Sequence, residues 1–154
     1  MNTRNRIMLE LMARGGMRVG EVLNLTPVDI QERTPAIQDP KSGRTGETVY
    51  VPQKLMVRLS DYVKANKTGL NDQIFPISYV AAWSMVKKAG NLVDIELRPH
   101  DLRRHAATYA SRSGAPIEIV SKVILRHADL STTQRYLGKA NDSEAIRWIE
   151  PLYG

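Results

Sequence analysis

Apolar positions along this chain recur mostly at helical spacing. Ile7, Met8, Leu11 and Met12 predict a helix over 3–14, stopped by Gly15 and Gly16. A short helix is expected over 18–25. Thr26 then reads as an N-cap with Pro27 at the first helical position of one further turn. Residues 34–38 and 47–51 look extended, and Thr48-Val49-Tyr50-Val51 is the clearer strand. The segment between them, 39–46, is dense in turn formers, which predicts a β-hairpin. Leu55, Met56, Leu59, Tyr62 and Val63 fall on one side of a helix over 53–66, and another helix over 78–89 is expected to end at Gly90. Pro99 opens a helix over 99–113 that closes before Gly114. Pro116 opens one over 116–126 with Ile117, Val120, Val123 and Ile124 as its apolar positions. Short helices over 131–137 and 142–149 complete the pattern, the latter capped by Asp142 or Ser143. The fold class is therefore α+β and mainly helical, with one small antiparallel sheet in the N-terminal third.

The chain has 154 residues, 42% apolar and 25% charged, which suits one ordered globular domain over 1–154. Cysteine is absent, which excludes disulfides, thiolate metal sites and cysteine nucleophiles together. No apolar run approaches the ~18 residues of a membrane span. The net charge of +6 points to a polyanionic partner, nucleic acid before membrane. The excess is uneven. Between Arg98 and Lys139 there are eight basic residues against three acidic ones, whereas 140–154 carries Asp142, Glu144 and Glu150 against Arg147.

Several chemistries fail on spacing. Gly15 and Gly20 have the outer spacing of a phosphate-binding loop, but Glu21 stands where that loop needs lysine. His100, His105 and His127 form no metal-ligand pair, and no acidic cluster joins them. What remains is an ordered set of cationic and proton-transferring residues. His100 and Arg103 share a face at the start of a helix, beside the positive end of its dipole. Arg18 sits in the turn 16–21 with Glu21, Lys41 on the hairpin loop, His127 after a helix and Tyr136 nine residues later. Singly, each has a plainer reading: a surface cation, a helix cap, a packing tyrosine.

Together, Arg18 with Glu21, Lys41-Ser42-Gly43, His100-Asp101-Leu102-Arg103, Leu125-Arg126-His127 and Thr132-Thr133-Gln134-Arg135-Tyr136 resemble the tyrosine recombinases of the phage-integrase family. Order and spacing agree over about residues 4–150, and Asp29 also stands where the family often has an acid. Two positions depart from the pattern. Arg104 follows Arg103 where the family often has histidine, and Arg126 precedes His127 where it often has glycine. The resemblance also implies a helical core-binding domain N-terminal to the catalytic one, absent from this chain.

The resemblance implies site-specific DNA recombination without cofactor or metal. Tyr136 is the implied nucleophile, and Arg18 and Arg103 the implied holders of the non-bridging phosphate oxygens. Lys41 is the implied general acid, His100 the proton acceptor, His127 a hydrogen-bond donor and Glu21 a brace. Arg44, Arg104, Arg126, Arg135 and Lys139 are candidate contacts to double-stranded DNA. A cytoplasmic, nucleoid-associated protein is implied, with self-association as a tetramer on DNA through the C-terminal segment. There Ile146, Trp148, Ile149 and Leu152 supply an apolar face that packs either on a neighbour or back on its own domain. Two alternatives stay open: nicking and resealing of one duplex, as by a type IB topoisomerase, and a DNA-binding module that does not cut.

Overall fold

The computed structural model describes residues 2–30, 36–38 and 48–126. The first helix, α1 (Thr3–Gly15), starts where the Asn2 side chain accepts the Asn5 N–H at 2.8 Å. It ends where Gly16 turns left-handed at φ 68° and the Gly16 and Met17 amides donate to the carbonyls of Met12 and Leu11. Its stripe of Ile7, Met8, Leu11 and Met12 is fully buried, as the spacing predicts. A short helix, α2 (Val19–Asn24), follows at once. The 3-10 turn Pro27–Asp29 comes next, and the Asp29 carboxylate accepts both the backbone N–H and the hydroxyl of Thr26 at 3.0 Å. The acid at position 29 is thus a buried cap.

Strands β1 (Ala36–Gln38) and β2 (Thr48–Tyr50) pair antiparallel, Ile37 opposite Val49, as the hairpin reading expects. The turn between them lies outside the described residues. Ile37 and Val49 are buried and join the α1 stripe and Leu55, Met56 and Leu59 of α3 (Gln53–Ala65) in one core. Phe75 closes that core, its ring stacked on Tyr62 at 5.7 Å. Helix α4 (Tyr79–Asn91), capped by Ser78, adds Ala82, Met85 and Val86. Helix α5 (Pro99–Arg112) packs along α1, and its buried Ala107 meets Val120 and Leu125.

Gly90 stands one residue before the end of α4, where the spacing expects the helix to stop. A Cβ there would sit 2.5 Å from the Ile95 carbonyl oxygen and 2.6 Å from Leu97 Cβ, so glycine is needed for the chain to fold back against the helix. Gly90→Ala, normally a gain of about 1 kcal/mol inside a helix, is therefore expected to reverse sign. It should destabilise by about 1–3 kcal/mol in denaturant unfolding, the usual cost of overpacking.

One expectation changes, at the helix predicted over 116–126. Residues Ile119–Ile124 form a π-helical turn, closed by the Leu125 amide donating to the Val120 carbonyl at 2.9 Å. The wider turn puts Leu125 in the core beside Val120 and Ala107, and brings its backbone carbonyl to α5. The helices expected over 131–137 and 142–149 lie outside the described residues.

Candidate active site

Three chain segments meet at the start of α5. Its first turn is set by Pro99 and by Asp101, whose carboxylate accepts the Arg98 N–H at 2.9 Å. This fixes His100 on the exposed side and Arg103 one turn on, buried to 9% exposure. The Arg103 guanidinium is spent on structure as well as on charge. Its Nε donates to the Gly16 carbonyl at 2.9 Å and its Nη2 to the Leu125 carbonyl. One side chain thus ties the turn before α2 to the segment that leads into His127. Gly16 has to be glycine for this approach, since at φ 68° a Cβ would meet the Ile124 carbonyl oxygen at 3.0 Å.

The turn so anchored carries Arg18, the N-cap residue of α2. The Glu21 carboxylate accepts the Arg18 N–H at 2.8 Å, and the Arg18 side chain stays 45% exposed. Arg18, His100 and Arg103 line one cleft of about 290 Å³, closed on another side by the rings of Tyr79 and Trp83. A cleft with two guanidinium groups, an imidazole and a helix N-terminus can hold an oxyanion. His105, five residues beyond His100, lines a different hollow with Ala13 and Tyr109. A larger hollow, about 590 Å³, is lined by α1 and α4 residues including Arg4, Met85 and Lys88, and holds none of the candidate catalytic side chains.

Residues 1–143 match the sequence model of the phage integrase family. The chain belongs to that family. It is 33% identical over 146 residues to the tyrosine recombinase XerD of Halalkalibacterium halodurans, covering 86% of this chain and 48% of that protein. It is 30% identical to the tyrosine recombinase XerA of Pyrococcus horikoshii, covering 88% and 50%. The chain spans about half the length of these relatives. Its fold is similar to a crystal structure of XerA recombinase, with a TM-score of 0.81, 26% identity, and coverage of 99% of this chain and 57% of that one. The fold likeness extends to XerH site-specific recombinase bound to palindromic difH substrate, with a TM-score of 0.78, 20% identity, and coverage of 96% and 46%. These matches agree with a mainly helical fold carrying a small antiparallel sheet.

Of the family positions read from the sequence, Arg18, Glu21, His100 and Arg103 come together around the cleft. Lys41, His127 and Tyr136 lie outside the described residues, as do Arg44, Arg135 and Lys139. Arg104 is exposed on α5. Arg126 differs from its expected place at the DNA surface. Its side chain is 3% exposed and both its terminal nitrogens donate to Glu21, 105 residues away, Nη2 to Oε1 at 2.6 Å. Tyr79 and Trp83 were not singled out from the sequence. The signal for them is their four-residue spacing on α4, at the edge of the stripe that carries Ala82 and Val86. Among the described residues no helix is long and apolar enough to cross a membrane.

Proposed function

We propose that this chain is the catalytic portion of a site-specific DNA recombinase that cuts and rejoins strands through a 3′-phosphotyrosyl intermediate. The observation that carries the reading is the convergence of Arg18, His100 and Arg103 on one cleft, with Arg103 bonded to the carbonyl two residues before His127. The family supplies the order of the remaining groups.

In the first step the Tyr136 hydroxyl attacks phosphorus, its proton passes to His100, and the bond from phosphorus to the 5′-oxygen breaks. Lys41 donates the proton that makes the departing group a 5′-hydroxyl. Arg18 and Arg103 hold the non-bridging oxygens as charge grows on them, and His127 donates a further hydrogen bond. In the second step a 5′-hydroxyl from a partner duplex attacks the phosphotyrosine, and the phenol leaves with its proton restored. Each step exchanges one phosphoester for another, so no nucleotide hydrolysis is required. The arginines supply the positive charge that a metal supplies in other phosphoryl transfers, and the reaction is proposed to be metal-independent. Double-stranded DNA is the substrate, in keeping with the +6 net charge. Self-association on DNA through the segment after Tyr136 and work at the nucleoid belong to the same proposal.

The test is covalent trapping. The protein is mixed with a labelled duplex nicked next to a candidate recombination site, then denatured and digested. A nucleotide attached to the peptide that contains Tyr136, with no metal added, is the expected result. DNA binding without attachment, or attachment at another residue, overturns it. Religation confined to one duplex turns the reading toward a topoisomerase.

A further inference from the structure

Arg126 is an unusual residue for its place. It is buried at 6% exposure and its backbone is left-handed at φ 57°, a conformation that favours glycine. Its guanidinium forks onto both oxygens of Glu21. Glu21 also lies one helical turn from Arg18, in the i,i+3 arrangement that normally pairs an acid with a base. Yet the Arg18 guanidinium is only loosely engaged, its Nη1 3.6 Å from Glu21 Oε2, and it lines the cleft with His100 and Arg103.

We infer that Arg126 is a positioning residue that occupies the Glu21 carboxylate and so leaves the Arg18 guanidinium to a DNA phosphate. Glu21 is 10% exposed at its side chain, and a carboxylate so buried requires a cationic partner. With Arg126 present, that partner is the fork, and the cluster of Arg18, Glu21 and Arg126 carries one net positive charge facing an incoming phosphate. Without Arg126, Arg18, its Nη1 already 3.6 Å from Oε2, is a cation within reach. Drawing it onto Glu21 would cancel the cluster's charge and pull a phosphate ligand out of the cleft. The inference rests on the proposed role of Arg18, and its test is arranged so that the two can fail separately.

The variants are Arg126→Gly, which suits the left-handed backbone, and the double variant Arg126→Gly with Glu21→Gln. Gln at 21 still accepts the Arg18 N–H but attracts no guanidinium. The readouts are the single-turnover rate of covalent attachment at saturating nicked duplex and the Nε–H resonance of Arg18 in the protein without DNA. Arg126→Gly should slow attachment roughly 10- to 100-fold, the worth of one charge-assisted contact, and shift the Arg18 resonance. The double variant should recover most of the rate and return the resonance toward its original position. Glu21→Gln also relieves the buried carboxylate that Arg126→Gly leaves without its partner, so the Arg18 resonance, not the rate alone, separates charge partition from repair of the fold. A double variant as slow as Arg126→Gly overturns the inference, and so does Arg126→Gly at full rate with the Arg18 resonance unmoved. If the parent protein forms no adduct, the recombinase reading fails, and the Arg18 resonance alone then decides the charge partition.

Discussion

Arg103→Ala is expected to abolish strand cleavage for practical purposes and to weaken the fold as well. Loss of a preorganised donor to a transition-state oxyanion costs about 10²–10³ in rate. The second effect comes from the two carbonyls that Arg103 satisfies. Gly16 and Leu125 are buried residues, and stripping both of their donor leaves two unmatched acceptors at about 1–3 kcal/mol each. A domain of this size with stability near 5–15 kcal/mol would lose a large share of it. The thermal midpoint should fall by roughly 5–15 °C. Arg103→Lys separates the two effects. A lysine keeps the positive charge but lacks the planar fork that spans two carbonyls. Its midpoint should lie between parent and Ala, while single-turnover attachment stays at least about tenfold slow. Full attachment by Arg103→Lys would show that the charge alone suffices and the fork is dispensable.

The bonds Arg103 makes to Gly16 and Leu125 show where sequence reading succeeds and where it stops. The spacing of His100 and Arg103 after Pro99 places both at a helix start, because proline and the Asp101 cap act locally. The stripes of α1 and α3 were legible for the same reason: burial follows a 3.6-residue period whatever the rest of the chain does. What escaped depends on partners remote in sequence. Arg126 reads as one more surface cation until the fold brings it to Glu21. Gly90 reads only as a helix stop, and the returning chain at Ile95 and Leu97 adds the need for its missing side chain. The π turn at Ile119–Ile124 is set by Leu125 reaching the core near Ala107 while its carbonyl meets Arg103, a demand from α5 that no periodicity within 116–126 encodes. Tyr79 and Trp83 escaped because their spacing runs on from the buried stripe of Ala82 and Val86, so periodicity reads them as core and not as the lining of a cleft.

The ion pair that ties Arg126 to Glu21 makes a stability prediction of opposite form to its catalytic one. Glu21→Gln alone should be the most destabilising neutral substitution in this network. It leaves the Arg126 guanidinium, 3% exposed at its side chain, without the carboxylate that both terminal nitrogens engage. Breaking one side of a buried pair typically costs about 3–5 kcal/mol, because the surviving charge stays desolvated. For a chain of this length that lowers the thermal midpoint by roughly 6–20 °C. Arg126→Gly alone should cost less. Arg18 can move onto Glu21 from 3.6 Å, and the backbone at φ 57° is relieved by glycine. The double variant removes both charges and should be more stable than Glu21→Gln alone. The two substitutions are then non-additive by about 1–3 kcal/mol in a denaturant-unfolding cycle. Strict additivity would mean that the pair is not coupled, and that Glu21 is retained only for the backbone cap it provides to α2. The order of the four midpoints therefore distinguishes a carboxylate held for its charge from one held for its hydrogen bond.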